Sequence, residues 1–147
     1  MIRFLYLIFK NKIKYNFSKL LTQDWCVGIV KADFQDVLDG KEFKNITWLE
    51  SKNKKEFIAD PFATFHNDTL CIYAEKYDQL TCKGNIARYK FDKSLTLINE
   101  KVVLDLSFHL SYPYLFEYDD QLHCLPEQTR DKTVSHYRLD EELDYFI

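Results

Sequence analysis

The chain nearly repeats itself, and the length of the repeat limits the folds open to it. Residues 60–77 read DPFATFHNDTLCIYAEKY, and residues 112–129 read YPYLFEYDDQLHCLPEQT. At a shift of 52 positions Pro61 falls on Pro113, Phe62 on Tyr114, Asp68 on Asp120, Leu70 on Leu122 and Glu75 on Glu127. Farther on, IARYKFD (86–92) falls on VSHYRLD (134–140) at a shift of 48, so four residues are lost between the two hairpins. A period near 50 suits one blade of a β-propeller, which needs roughly 40–50 residues for four strands.

The local pattern agrees. WCVGIV (25–30) and ITWLES (46–51) read as short strands, with DVLDGKEF (36–43) as a polar loop between them. FIADPFATFHN (57–67) and TLCIYAEKYD (69–78) flank an Asn67-Asp68 turn and form a hairpin. GNIARYKFD (84–92) pairs with LTLINEKVVLDL (95–106), and YPYLFEY (112–118) pairs with QLHCLPE (121–127). TVSHYRLD (133–140) opens one more pair, of which only the first strand is expected. Side chains alternate, as in Leu70, Ile72 and Ala74, and no apolar period of 3.6 is sustained over 25–147. Ten Tyr and twelve Phe, with only three Gly, favour pleated surfaces over helices.

The fold class is therefore all-β, a partial β-propeller of antiparallel four-stranded blades. The propeller domain is expected over 23–147, with repeat units at about 57–106 and 109–147 and a partial blade from 25–51. A closed propeller needs at least four blades, so further blades are expected from elsewhere. The alternatives are an open stack of two sheets or a truncated remnant without function.

Residues 1–22 stand apart. They carry Arg3, Lys10, Lys12, Lys14 and Lys19 and no acid, around the apolar run FLYLIF. That run is far short of the roughly 20 residues of a membrane-spanning helix. A short basic amphipathic helix or leader is expected, either packed on its own domain or lying on an anionic membrane surface. The net charge of −3 gives no case for a nucleic-acid partner. The four cysteines show no CxxC spacing, so no metal site is expected. Cys71 and Cys124 fall inside strands and read as buried thiols, or as a disulfide in an oxidising compartment. No Gly-rich phosphate loop, HExxH or GxSxG is present, and no cofactor is expected.

Several stretches are specific enough to carry a resemblance. WCVGIV, ITWLE, FIADPF, KGNIARYKFD, VVLDLSFHLSYPYLFEYDDQLHCLPE and SHYRLD occur here in one order. Over about 25–145 the chain resembles the N-terminal domain of the glucosamine inositolphosphorylceramide transferases and their bacterial relatives. That resemblance implies a fold like the five-bladed propellers of the arabinanase, invertase and levansucrase superfamily, which includes glycoside hydrolase family 43. It implies a carbohydrate setting in cell-surface glycan or glycolipid synthesis. The implied partners are a carbohydrate, a sugar nucleotide or a glycolipid, and a transferase domain or further blades from another chain. The location expected is cytoplasmic, either free or in peripheral contact with the inner face of the membrane through residues 1–21.

A glycosidase needs two carboxylates flanking the bond, one of them a proton donor. By resemblance, Asp60 in FIADPF matches the blade-one Asp of the hydrolases and is the candidate catalytic residue. The next unit has Tyr112 where those enzymes place a second Asp, and their acid Glu belongs to a third blade that is not expected within this chain. Recognition is therefore the preferred reading, with Asp60, Glu75, His109, Ser111, Tyr112 and Glu127 as ligand-binding candidates. A glycosidase or transglycosidase whose acid comes from outside the chain is the alternative. Each candidate also has a plainer reading: a turn-stabilising Asp60, solvated or structurally bonded Glu75 and Glu127, and backbone capping by His109 and Ser111. Trp25 and Trp48 read as core, and Lys76, Lys83 and Arg88 as a solvated basic cluster.

Overall fold

A computed structural model describes residues 4–11, 25–66, 68–128 and 133–147. The described residues are almost entirely β. The first sheet holds β1 (Phe4–Asn11), β2 (Trp25–Ala32) and β3 (Thr47–Leu49), with β2 in the middle. The second runs in simple order through β4 (Glu56–His66), β5 (Thr69–Asp78), β6 (Lys83–Phe91) and β7 (Leu97–Leu104). The third does the same with β8 (Leu110–Tyr118), β9 (Gln121–Gln128), β10 (Tyr137–Asp140) and β11 (Tyr145–Phe146). All described pairings are antiparallel. Two successive sheets of identical strand order are what the sequence repeat predicts for a partial propeller, and among the described residues no closed barrel forms.

Three expectations need correction. Phe4–Asn11 is a strand, not part of an amphipathic helix, and it pairs with β2 from Phe4↔Ala32 to Asn11↔Trp25. Aromatic and β-branched residues in FLYLIF favour an extended chain, and β2 offers a free edge. The rest of the expected N-terminal helix lies outside the described residues. The last sheet has four strands rather than three, because Tyr145 and Phe146 return to pair with Asp140 and Leu139. The polar loop at 36–43 overlaps a five-residue helix, α1 (Phe34–Leu38), none of whose residues is buried.

Two cores separate the three sheets. Alternation along β5 sends Leu70, Ile72 and Ala74 toward the first sheet, where they meet Val27, Ile29 and Leu49. It sends Cys71 and Tyr73 to the other face, against Leu110, Cys124 and Phe146 of the third sheet. The middle sheet is thus buried on both faces, like a slice between two others. The second core is locked by an ion pair. Arg88, on β6, donates from Nη2 to Asp144 Oδ2 at 2.8 Å and bonds the other carboxylate oxygen through Nη1. Lys101 Nζ reaches the same carboxylate at 3.2 Å.

The repeat also extends to an irregularity. Each inner strand carries a β-bulge at the same place: Asp60-Pro61 lies between the pairs Ala59↔Glu75 and Phe62↔Tyr73, and Tyr112-Pro113 lies between Ser111↔Glu127 and Tyr114↔Leu125. Asp60 and Tyr112 both adopt left-handed backbone, with φ of 48° and 46°. For a non-glycine residue that conformation costs about 1–2 kcal/mol, so both positions are held by their surroundings. The proline that follows supplies no N–H to a ladder that is interrupted there anyway.

Candidate functional site

The two bulges bring the selected residues together. In the second sheet, Glu75 on β5 stands opposite Ala59, next to the bulged Asp60. In the third, Glu127 on β9 stands opposite Ser111, next to the bulged Tyr112. Strands β4 and β8 lie side by side, so the two bulges face a common space. There the Asp60 and Glu127 carboxyls both act on the carboxyl of Glu75.

Glu75 is not the solvated strand end that its place in the sequence suggests. It is only 6 % exposed. Burial, then the neighbouring Asp60 and Glu127 charges, pushes its carboxyl up to about 8. At neutral pH it keeps its proton, because ionising an enclosed carboxyl beside two other acids is costly. Glu127, by contrast, is exposed.

His109 completes this wall from the segment joining the two sheets. Its Nδ1 accepts the Gly84 N–H at 2.8 Å, and its Nε2 lies 3.8 Å from Glu75 Oε1. The ring stands edge-on to Tyr77, with centroids 5.6 Å apart. Tyr112 is 52 % exposed. Its ring packs edge-to-face on Phe62 at 5.0 Å, and Phe62 meets Tyr114 at 5.8 Å in the same manner. Ser111 is half-buried on β8. Asp60, Glu75, Glu127 and His109 therefore form one polar group beside an aromatic platform made by Tyr112, Phe62 and Tyr114.

The basic cluster expected near residues 76–88 does not form. Lys76 is taken by Glu100 at 2.8 Å and Glu56 at 3.3 Å, and Lys83 by Asp105 at 2.7 Å. Arg88 is buried and committed to Asp144. Alternation along β6 turns Lys83 and Arg88 to opposite faces, and each of the three cations is held by its own acid. Trp48 is 38 % exposed rather than core. Cys71 and Cys124 are buried free thiols, and burial pushes Cys124 up to about 12. A cleft of about 900 Å³ opens at the hairpin-turn end, lined among others by Thr64, Arg88, Asp120 and Arg138. None of the six selected residues lines it. Among the described residues no group of three or more His, Cys, Asp or Glu is arranged to hold a metal, and no helix is long and apolar enough to cross a membrane.

Phe62 and Gly84 belong to the site but were not selected from the sequence. Phe62 follows the repeated proline and aligns with Tyr114, which was a usable signal. Gly84 is one of only three glycines in the chain, and its role depends on contacts 25 residues away.

Residues 45–143 match the family described as glucosamine inositolphosphorylceramide transferase 1, N-terminal, a span that includes every residue of the site. The chain belongs to that family. It is similar to the Arabidopsis thaliana glucosamine inositolphosphorylceramide transferase 1, at 34% identity over 133 residues, covering 78% of this chain and 17% of the relative. The rice protein of the same name, Oryza sativa subsp. japonica, is 34% identical over 93 residues, covering 63% of this chain and 12% of the relative. The chain thus spans less than a fifth of the length of these curated relatives. No solved structure matches it.

Proposed function

We propose that this chain is a carbohydrate-recognition module of glycan or glycolipid synthesis, and that it binds sugar hydroxyls at the paired bulges without cleaving a glycosidic bond. The observation that carries the reading is the joining of a carboxyl group, Asp60, Glu75 and Glu127, to the exposed Tyr112 ring on its Phe62 support. Carboxylates accept hydrogen bonds from sugar hydroxyls, and an aromatic face suits the C–H face of a pyranose. His109 and Ser111 add donors at the rim. The relatives' name, a transferase acting on a glycolipid, supports the setting. The basic residues of 1–21 support a location on the cytoplasmic side, against the inner face of a membrane. A transferase domain or further blades on another chain would supply the chemistry.

The ring at the second bulge favours recognition over hydrolysis. A glycosidase needs two carboxylates flanking the scissile bond, and the second bulge presents Tyr112 where the first presents Asp60. One observation favours the enzyme reading: an enclosed, proton-holding Glu75 beside a second carboxyl, Asp60, resembles an acid–base pair.

The test is a glycan array followed by calorimetry. The reading expects binding that falls at least about tenfold in Asp60→Ala and Tyr112→Ala, the scale of a lost charged hydrogen bond. Folded protein that binds no glycan would refute it. Asp60-dependent turnover of aryl glycosides would replace it with the enzyme reading.

A further inference from the structure

Gly84, the second residue of β6, sits at a crowded point. A Cβ at this position would lie 2.5 Å from the Leu110 carbonyl oxygen and 2.6 Å from Glu75 Oε1. Both distances are closer than any real Cβ contact. Leu110 begins β8 and directly follows His109, so the clash falls on the segment that carries the imidazole. The Gly84 N–H, freed from any side chain of its own, points at His109 Nδ1.

A nitrogen that accepts a hydrogen bond from a backbone N–H carries no proton. In neutral imidazole the proton then sits on the other nitrogen. Here that nitrogen is Nε2, which faces Glu75 across 3.8 Å, beyond hydrogen-bond length. The ring is held from its edge by Tyr77, which is itself stacked on Phe57 at 4.7 Å. His109 is partly exposed, so a ligand can reach it.

We infer that Gly84 is a positioning residue for the bulge site: its N–H fixes His109 as the Nε2–H tautomer, and its missing side chain leaves the space that Glu75 and the start of β8 occupy. The result is a neutral N–H donor among oxygens that mostly accept. A sugar hydroxyl needs both kinds of partner, since it donates one hydrogen bond and accepts others. The effect on binding rests on the recognition reading above; the tautomer does not.

The experiment is a long-range proton–nitrogen correlation spectrum of protein labelled at histidine with nitrogen-15, at neutral pH. The expected pattern has His109 protonated at Nε2 and bare at Nδ1. An Nδ1–H form, or a mixture of the two, overturns the inference. Gly84→Ala is expected to lose the fixed tautomer and to bind the array's best glycan about tenfold more weakly; an unchanged tautomer overturns the inference. If Gly84→Ala does not fold, His109→Asn and His109→Leu decide the matter. Only the Asn side chain can accept the Gly84 N–H. Protection of the Gly84 amide from exchange, kept in Asn and lost in Leu, supports the role, and equal protection in both refutes it. A fixed Nε2–H tautomer in protein that binds no glycan would sink the recognition reading alone and leave the positioning contact standing.

Discussion

Replacing Glu75 by Gln is expected to stabilise the fold, and to do so more as the pH rises. The folded carboxyl titrates near 8, and in the unfolded chain it titrates near the usual value of about 4.3. The folded state therefore holds more protons than the unfolded state between those values. Stability must fall as pH increases through that window, by about 1.4 kcal/mol per pH unit from this group. Below about 4.3 both states are protonated and the group is neutral toward folding. Summed to pH 7, the loss is on the order of 3–4 kcal/mol. Glutamine keeps the shape and removes the titration. The assay is urea denaturation of both proteins at a series of pH values from 5 to about 8, and the reading is the difference between their slopes. The two chains differ only at residue 75, so the difference isolates that carboxyl and its immediate surroundings. Parallel curves, or a variant less stable than the parent at pH 7, would refute the burial of a protonated Glu75.

Two other outcomes follow from the packing. Asp144→Ala leaves the buried Arg88 guanidinium without its partner and should cost about 2–3 kcal/mol, somewhat less than the roughly 3–5 kcal/mol of a fully buried pair because Asp144 itself is 37 % exposed. Arg88→Met removes the buried charge instead and should cost less, and the double variant should be no worse than Asp144→Ala; a simple sum of the two costs in denaturation would argue against coupling. Arg88 also holds Asp144 below the usual carboxylate range, so the lock contributes above an unfolded value of about 3.9 and is lost as pH falls through the lower folded value. For the thiols, Cys82 is exposed while Cys26, Cys71 and Cys124 are buried. A colorimetric disulfide reagent should meet one fast thiol and three slow ones, and a second fast thiol would show that a core has opened.

The sequence made the sheets legible because hairpins are local. Strand β5 falls on TLCIYAEKYD residue for residue, and the repeated Pro61 and Pro113 mark equivalent bulges. It also selected Asp60, Glu75, His109, Tyr112 and Glu127, which the fold places around one space. What it missed depends on contacts distant along the chain. Glu75 and Glu127 are equals in the repeat, yet only Glu75 is enclosed, by Gly84 and the segment that returns through His109. Arg88 reads as one of three surface cations until Asp144 arrives from 56 residues away. At the N-terminus, charge suggested a surface helix, and the edge of β2 decided otherwise.

The bulges carry a consequence for how this chain tolerates change. Each inserts a single residue against its partner strand, so side chains before and after it are half a period out of phase. Deleting Pro61 alone would restore an unbroken ladder with one more hydrogen bond. Ala59 and Phe62 would keep the face they share opposite Glu75 and Tyr73, while Asp60, left alone opposite Ala74, would turn to the other face. A more regular strand here would be a blank one, with the acid and the ring on opposite sides of the sheet.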